Sequence, residues 1–125
     1  MNAVILCGGE GTRIRHLLPE GMPKIMADID GTPFFAILAD HLLVLGFNEL
    51  VLATGYGHEV LYLYLAPILS RSRIRFSMET KPLGTAGAIR KASPLIKTGD
   101  FLIVNGDTYC DVDYKAMLAY HKITN

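Results

Sequence analysis

Three charged side chains in this chain stand where no apolar period accounts for them: Arg13, Lys24 and Asp107. Arg13 closes the run Gly8-Gly9-Glu10-Gly11-Thr12-Arg13, Lys24 follows Pro23, and Asp107 follows Asn105-Gly106. Each type has a use in phosphate chemistry. A guanidinium is a rigid fork suited to phosphate oxygens, an ammonium is a compact point charge, and a carboxylate offers an oxygen ligand to a hard cation such as Mg²⁺. The neighbouring glycines lack Cβ atoms and leave the backbone open to close approach. Successive N–H groups in such a loop form a concavity that binds anions. The combination points to a polyphosphate site.

Two familiar phosphate loops do not fit. The pattern G-x-x-x-x-G-K-[ST] is absent. The dinucleotide pattern G-x-G-x-x-G begins at Gly9-Glu10-Gly11 but meets Ile14 where its third glycine belongs. That fold also calls for an acidic residue at the end of its second strand, and the corresponding stretch here reads Ala53-Thr54-Gly55.

The glycine loop needs a strand to launch it, and the apolar run within Ala3–Cys7 supplies one. Pro19, Gly21 and Pro23 keep the segment from Gly8 to about Met22 out of a helix. Ala27-Asp28-Ile29 reads as a short strand closed by a turn at Asp30-Gly31. A helix is predicted from Thr32 as N-cap, with Pro33 in its first position, through Phe34, Ile37, Leu38, His41, Leu42 and Leu45, stopping at Gly46. Glu49 to Ala53 is a second strand, and a helix from about His58 to Leu65 should end or kink at Pro67. Ile74 to Met78 alternates apolar and polar residues, as an edge strand does. Thr85 is a candidate N-cap for a helix reaching about Lys91, Phe101 to Val104 is a fourth strand, and Asp113 caps a last helix.

Strands alternate with helices throughout, the pattern of an α/β domain with a doubly wound, mostly parallel sheet. In such sheets ligands lie at the carboxyl ends of the strands, at a topological switch point. Gly8 to Arg13, Glu79 to Thr85 and Asn105 to Asp107 each follow a predicted strand. Segments far apart in sequence should therefore meet in one cleft.

Composition narrows the partners. The 125 residues are 50% apolar and 19% charged, which suits one globular domain rather than a disordered chain. Formal net charge is zero and no basic stripe is present, which argues against nucleic acid. No apolar run approaches the length of a membrane span. Met1-Asn2-Ala3 has no basic n-region, so a cytoplasmic location is expected. Cys7 and Cys110 do not make a disulfide framework and are expected to be reduced and unpaired. His16, His41, His58 and His121 lack zinc-ligand spacing and read as surface or helix-face residues. Whether copies of the chain associate is left open.

Gly8-Gly9-Glu10-Gly11-Thr12-Arg13 with Pro23-Lys24 resembles the signature of the sugar-1-phosphate nucleotidylyltransferases. Pro82-Leu83-Gly84-Thr85-Ala86-Gly87-Ala88-Ile89 is similar to that family's base-recognition segment, and Val104-Asn105-Gly106-Asp107-Thr108 to its metal-binding segment. The resemblance runs in the right order over nearly the whole chain. It implies a Rossmann-like nucleotidyltransferase fold, of which residues 1–125 would be the nucleotide-binding N-terminal half. The family's domain continues with more sheet, most of the sugar-binding residues and a second acidic metal ligand. Implied substrates are an NTP and a sugar 1-phosphate, giving an NDP-sugar and pyrophosphate. Carried over position by position, Leu6, Gly8 and Gly9 would meet the nucleoside through main chain, while Gly11, Thr12 and Arg13 would hold the triphosphate. Lys24 would bind phosphate, Glu79, Gly84 and Thr85 would face base or ribose, and Asp107 would bind Mg²⁺. Arg13, Lys24 and Asp107 would thus carry the catalysis. The wording Leu-Gly-Thr-Ala-Gly-Ala and Asn-Gly-Asp-Thr is most similar to guanylyltransferases, which favours GTP, with D-glycero-α-D-manno-heptose 1-phosphate first and mannose 1-phosphate next as acceptor. Related domains also serve as regulatory subunits, so a non-catalytic nucleotide- or sugar-nucleotide-sensing module is the rival reading.

Overall fold

Continuous apolar runs become the inner strands of a parallel sheet, covered on both faces. The structure is a computed structural model that describes residues 1–69 and 73–124. β1 (Asn2–Cys7) leads through the glycine loop and two 3₁₀ turns, Arg15–Leu17 and Lys24–Met26, into a hairpin of β2 (Asp28–Ile29) and β3 (Thr32–Pro33). Then come α1 (Phe34–Val44), β4 (Glu49–Thr54), α2 (His58–Leu69), β5 (Ile74–Met78), α3 (Gly84–Ala92), a 3₁₀ turn at Ser93–Leu95, β6 (Phe101–Asn105) and α4 (Tyr114–Thr124).

The main sheet has the order β5-β4-β1-β6, and every neighbouring pair in it is parallel. From β1 the chain moves outward to β4 and β5, then crosses back to place β6 on the far side of β1. The reversal falls between β1 and β6. The expected edge strand Ile74–Met78 is indeed an outer strand.

Alternation along each strand sorts side chains to two faces. Ala3, Ile5, Leu50, Leu52 and Val104 pack with Phe35, Leu38 and Leu42 of α1 and Leu61 and Leu65 of α2. Val4, Val51 and Ala53 pack with Ala88 and Ala92 of α3 on the other face. The sandwich of helix, sheet and helix is the doubly wound α/β arrangement expected.

Three local expectations are corrected. α1 begins at Phe34, with Pro33 rather than Thr32 at its N-cap position. Thr32 is instead paired with Ile29 in the hairpin, which holds it extended. The turn there is as expected: Asp30 and Gly31 have φ of 50° and 85°, and Asp28 Oδ1 accepts the Gly31 N–H at 2.8 Å. α2 runs past the expected Leu65 to Leu69 with Pro67 inside it, so the proline does not end the helix. The carbonyl it deprives of a partner belongs to Leu63, a residue 70% exposed, so water can take the place of the missing bond. Thr85 does not cap α3, which starts at Gly84 with Leu83 at the N-cap position and no capping side chain of its own there. The Leu83 N–H is met from outside the helix, by Glu79 Oε2 at 3.0 Å. Asp113 does cap α4, its Oδ1 accepting the N–H groups of Lys115 and Ala116 at 3.0 and 2.9 Å.

Candidate active site

Because the four strands of the main sheet are parallel, their carboxyl ends share one edge of it. The register aligns Leu6 with Ala53 on one side and with Asn105 on the other, and Thr54 with Met78. The chain therefore leaves β1, β4, β5 and β6 at one level. Main-chain bonds continue past the strand ends, from Gly106 N–H to Leu6 O at 2.8 Å and from Glu79 N–H to Thr54 O at 2.7 Å. A Cβ on Gly55 would sit 2.9 Å from Gly8 O, so only glycine lets the loop after β1 lie against the turn after β4.

Two hollows open along this edge. The larger, about 340 Å³, is lined by Leu6, Cys7, Gly9, Gly11, Thr12, Arg13, Ile14, Lys24, Ile25, Asn105, Gly106 and Asp107. The smaller, about 260 Å³, has Gly8, Ala53, Glu79, Pro82, Gly84, Thr85 and Ala88 in its wall. Leu6, Gly9 and Asn105 belong to both, so the hollows are two compartments of one cleft. Each residue singled out in the sequence lies in one wall or the other: Gly11, Thr12, Arg13, Lys24 and Asp107 in the larger, Gly8, Glu79, Gly84 and Thr85 in the smaller, and Leu6 and Gly9 in both.

A short side-chain hydrogen bond across the cleft joins two of them. Lys24 Nζ donates to Asp107 Oδ2 at 2.7 Å across 83 residues of sequence. Thr108 Oγ1 donates to the other oxygen, Oδ1, at 3.1 Å. The hydrogen bond from Lys24 holds the Asp107 carboxyl below its ordinary value, with help from Thr108 and from the lysine charge, against a smaller push upward from partial burial. Asp107 is thus an ionised carboxylate at neutral pH, facing a hollow that also displays two cations. Cys7 behaves oppositely: burial, and then the charge of Glu79, push its thiol up to about 12. It is a neutral wall residue.

Asn105, Cys7, Ile14, Ile25 and Gly106 complete the larger wall, and Ala53, Pro82 and Ala88 the smaller. The sequence places the segment Asn105 to Asp107 at the cleft but assigns Asn105 no role of its own, whereas the structure puts it in the walls of both hollows. Its position at the end of an apolar strand was the available signal. The Lys24–Asp107 pair had none, since nothing in either segment names the other. Cys7 and Cys110 are not bonded to each other in the structure. Among the described residues no three His, Cys, Asp or Glu side chains cluster as a metal site. No helix of the described residues is long and apolar enough to cross a membrane.

Comparison with known proteins extends the geometry. The chain is 40% identical over 121 residues to a D-glycero-alpha-D-manno-heptose 1-phosphate guanylyltransferase of Aneurinibacillus thermoaerophilus, a match that covers 97% of this chain and 52% of the relative. It is 37% identical over 125 residues to the mannose-1-phosphate guanylyltransferase catalytic subunit beta of Dictyostelium discoideum, covering 98% of this chain and 34% of that one. Among solved structures, HddC from Yersinia pseudotuberculosis complexed with GMP-PN superposes with a TM-score of 0.83 at 36% identity, over 95% of this chain and 53% of HddC. The chain spans about half the length of the heptose 1-phosphate relatives it matches. The sequence pattern of the family described as "Nucleotidyl transferase" matches residues 2–125. With the glycine loop, Lys24 and Asp107 meeting at the switch point of a doubly wound sheet, and with that match over almost all of its length, this chain belongs to the nucleotidyl transferase family.

Proposed function

We propose that this chain is the nucleotide-binding half of a guanylyltransferase that joins GTP to a sugar 1-phosphate of heptose or mannose type. The single observation that carries the reading is the convergence of the glycine loop, Lys24 and Asp107 on one hollow, next to a second hollow of suitable size for a base and ribose. The names of the relatives supply the base and the sugar class. No observation favours the sensing-module reading. β6 is an outer strand with Ile103 41% exposed, as suits a sheet that continues in further chain.

In the reaction, a phosphate oxygen of the sugar 1-phosphate attacks the α-phosphorus of GTP. A new phosphoanhydride bond forms, the α–β anhydride bond breaks, and pyrophosphate leaves with its electron pair. The attacking phosphate is already anionic, so no side chain need remove a proton from it. Amides of the loop through Gly11 and Thr12, with Arg13, would hold the triphosphate and meet the charge that builds on the leaving group. Lys24 would bind phosphate from the same wall. Leu6, Gly8 and Gly9 would face the nucleoside through main chain, and Glu79, Gly84 and Thr85 the base or ribose.

Asp107 fits a Mg²⁺ site of the sparse kind, in which few carboxylates and several phosphate oxygens and waters share the ion. It is ionised and partly open to the hollow. Mg²⁺, when bound, would neutralise triphosphate charge and help align the reacting phosphates. Asp107 would hold it, and Lys24 at 2.7 Å would turn from the carboxylate toward phosphate oxygen. A cytoplasmic location and reduced thiols belong to the same proposal.

A pyrophosphate-release assay on the parent protein, with each common NTP against several sugar 1-phosphates, tests this. GTP with heptose or mannose 1-phosphate should exceed every other pair by at least about tenfold, or ~1.4 kcal/mol in transition-state binding. Release of pyrophosphate from no pair, or a preference for another base, would overturn it.

A further inference from the structure

The glycine loop carries one residue that a triphosphate site should not welcome. Glu10 stands between Gly9 and Gly11, and a carboxylate there would repel phosphate. Along Gly9–Ile14 every residue lines the larger hollow except Glu10. Its side chain is engaged elsewhere: Arg15 Nη2 donates to the Glu10 carbonyl at 3.0 Å and to Glu10 Oε2 at 3.4 Å. The same guanidinium lies 4.4 Å from the ring centroid of Tyr56. Tyr56 sits between Gly55 and Gly57, in the turn that supports the loop from below. A Cβ on Gly57 would meet Pro23 at 2.7 Å and Gly21 O at 2.9 Å, so this turn is packed directly against the segment that carries Lys24.

We infer that Arg15 is a positioning residue that holds Glu10 turned away from the phosphate compartment and neutralises it, with Tyr56 as the platform that keeps the guanidinium in place. This rests on the polyphosphate reading of the larger hollow. Arg15 is distinct in role from Arg13, which lines the hollow itself while Arg15 does not. The planar guanidinium suits the task because it can donate to a carbonyl and a carboxylate at once and still lie on an aromatic ring. Removing it frees a carboxylate whose chain neighbours form the hollow's wall, well within the ~8–10 Å over which charge is felt at ordinary salt.

Second-site rescue separates this from a merely structural role. In the parent protein, Arg15→Ala should raise the KM for GTP about tenfold, with kcat changed less, and the defect should shrink as salt rises. Glu10→Gln alone should stay within about twofold of the parent, and Glu10→Gln with Arg15→Ala should return to within about threefold, because the repelling charge is gone. Tyr56→Ala should reproduce part of the loss, about threefold, through a looser guanidinium. A normal KM in Arg15→Ala, or a defect that Glu10→Gln leaves untouched, would overturn the inference. Should Arg15→Ala lose its cooperative melt, Arg15→Gln carries the same comparison, since it keeps a donor for the Glu10 carbonyl but not the charge. Arg13→Ala is the control: if it loses GTP binding while Arg15→Ala does not, only the Arg15 role fails, and if neither matters the polyphosphate reading fails with it.

Discussion

The larger hollow takes most of its wall from the glycine loop and the Lys24 turn and draws its charges from Arg13, Lys24 and Asp107, whereas the smaller adds Ala53 of β4 and the first turns of α3 to the strand ends the two share. Arg13, Lys24 and Asp107 all face the larger. Among the described residues Glu79 is the one ionisable side chain in the wall of the smaller, and one of its carboxylate oxygens is engaged by the Leu83 N–H. On the proposed function, charge is concentrated where phosphoryl chemistry would need it, and the neighbouring compartment is left to shape and main-chain groups. The two sides should therefore fail differently when altered.

The largest effect belongs to the charged side. Asp107→Asn keeps the shape and removes the charge, and we expect turnover of the parent protein to fall at least about a hundredfold. The Lys24–Asp107 pair is partly exposed, with 35% and 43% of its side chains accessible. Exposed pairs contribute about 0–1 kcal/mol, so the melting temperature should move by less than about 5 °C. The sign with pH follows from the depressed carboxyl. Its stabilisation is complete above the ordinary value of 3.8 and is lost as pH falls through the lower folded value, so Asp107→Asn should blunt that acid limb. Steady-state kinetics beside thermal melts from pH 2 to pH 8 (about the range needed to span the limb) check both halves. An equal loss of stability and activity would remove the contrast between the hollows.

On the other side, Glu79→Ala removes the acceptor of the Leu83 N–H and loosens the turn into α3. Discrimination of GTP against ATP should fall about tenfold while kcat with GTP changes less, the mark of a recognition defect. Competition assays with both nucleotides measure it. If kcat collapses as in Asp107→Asn, Glu79 acts on the reaction and the division of labour is wrong.

Gly57→Ala probes the support beneath the charged loop. With φ at 70° and Pro23 only 2.7 Å from the added Cβ, the turn must shift or strain, at a cost of about 1–3 kcal/mol. Denaturant melts should show that loss, with a moderate rise in the KM for GTP.

The two cysteines give the smallest effect on function and a clear chemical contrast. Cys110 is exposed, and Cys7 ends a buried strand. With its thiol pushed up to about 12, Cys7 should resist iodoacetamide in the native protein while Cys110 reacts, and both should react once unfolded. The thiol's preference for the folded state is complete below 9.0 and is lost as pH rises toward about 12, so Cys7→Ser should flatten the alkaline limb of stability. Mass spectrometry after labelling and melts at high pH check this.

Local signals settled much of this protein before any tertiary contact was known. Strand β1, the α/β alternation, the hairpin turn at Asp30-Gly31 and the Asp113 cap are written in short stretches, because burial on both faces, positive φ and capping each demand particular residues within a few positions. The residues of the cleft were legible for a similar reason: glycines, prolines and isolated charges break the apolar period that surrounds them. Thr32, Thr85 and the end of α2 were misread where the deciding surroundings lay outside the helix in question: Ile29 for Thr32, Glu79 for the start of α3, and the exposure of Leu63, which lets α2 continue through Pro67. Only the tertiary structure decided which charges meet. The separation of 83 positions from Lys24 to Asp107 is spanned by strand register rather than by sequence, since β6 must pair with β1 to bring Asn105 level with Leu6. The same holds for Arg15 on Tyr56, a contact that exists because Gly55 and Gly57 admit the loop so closely.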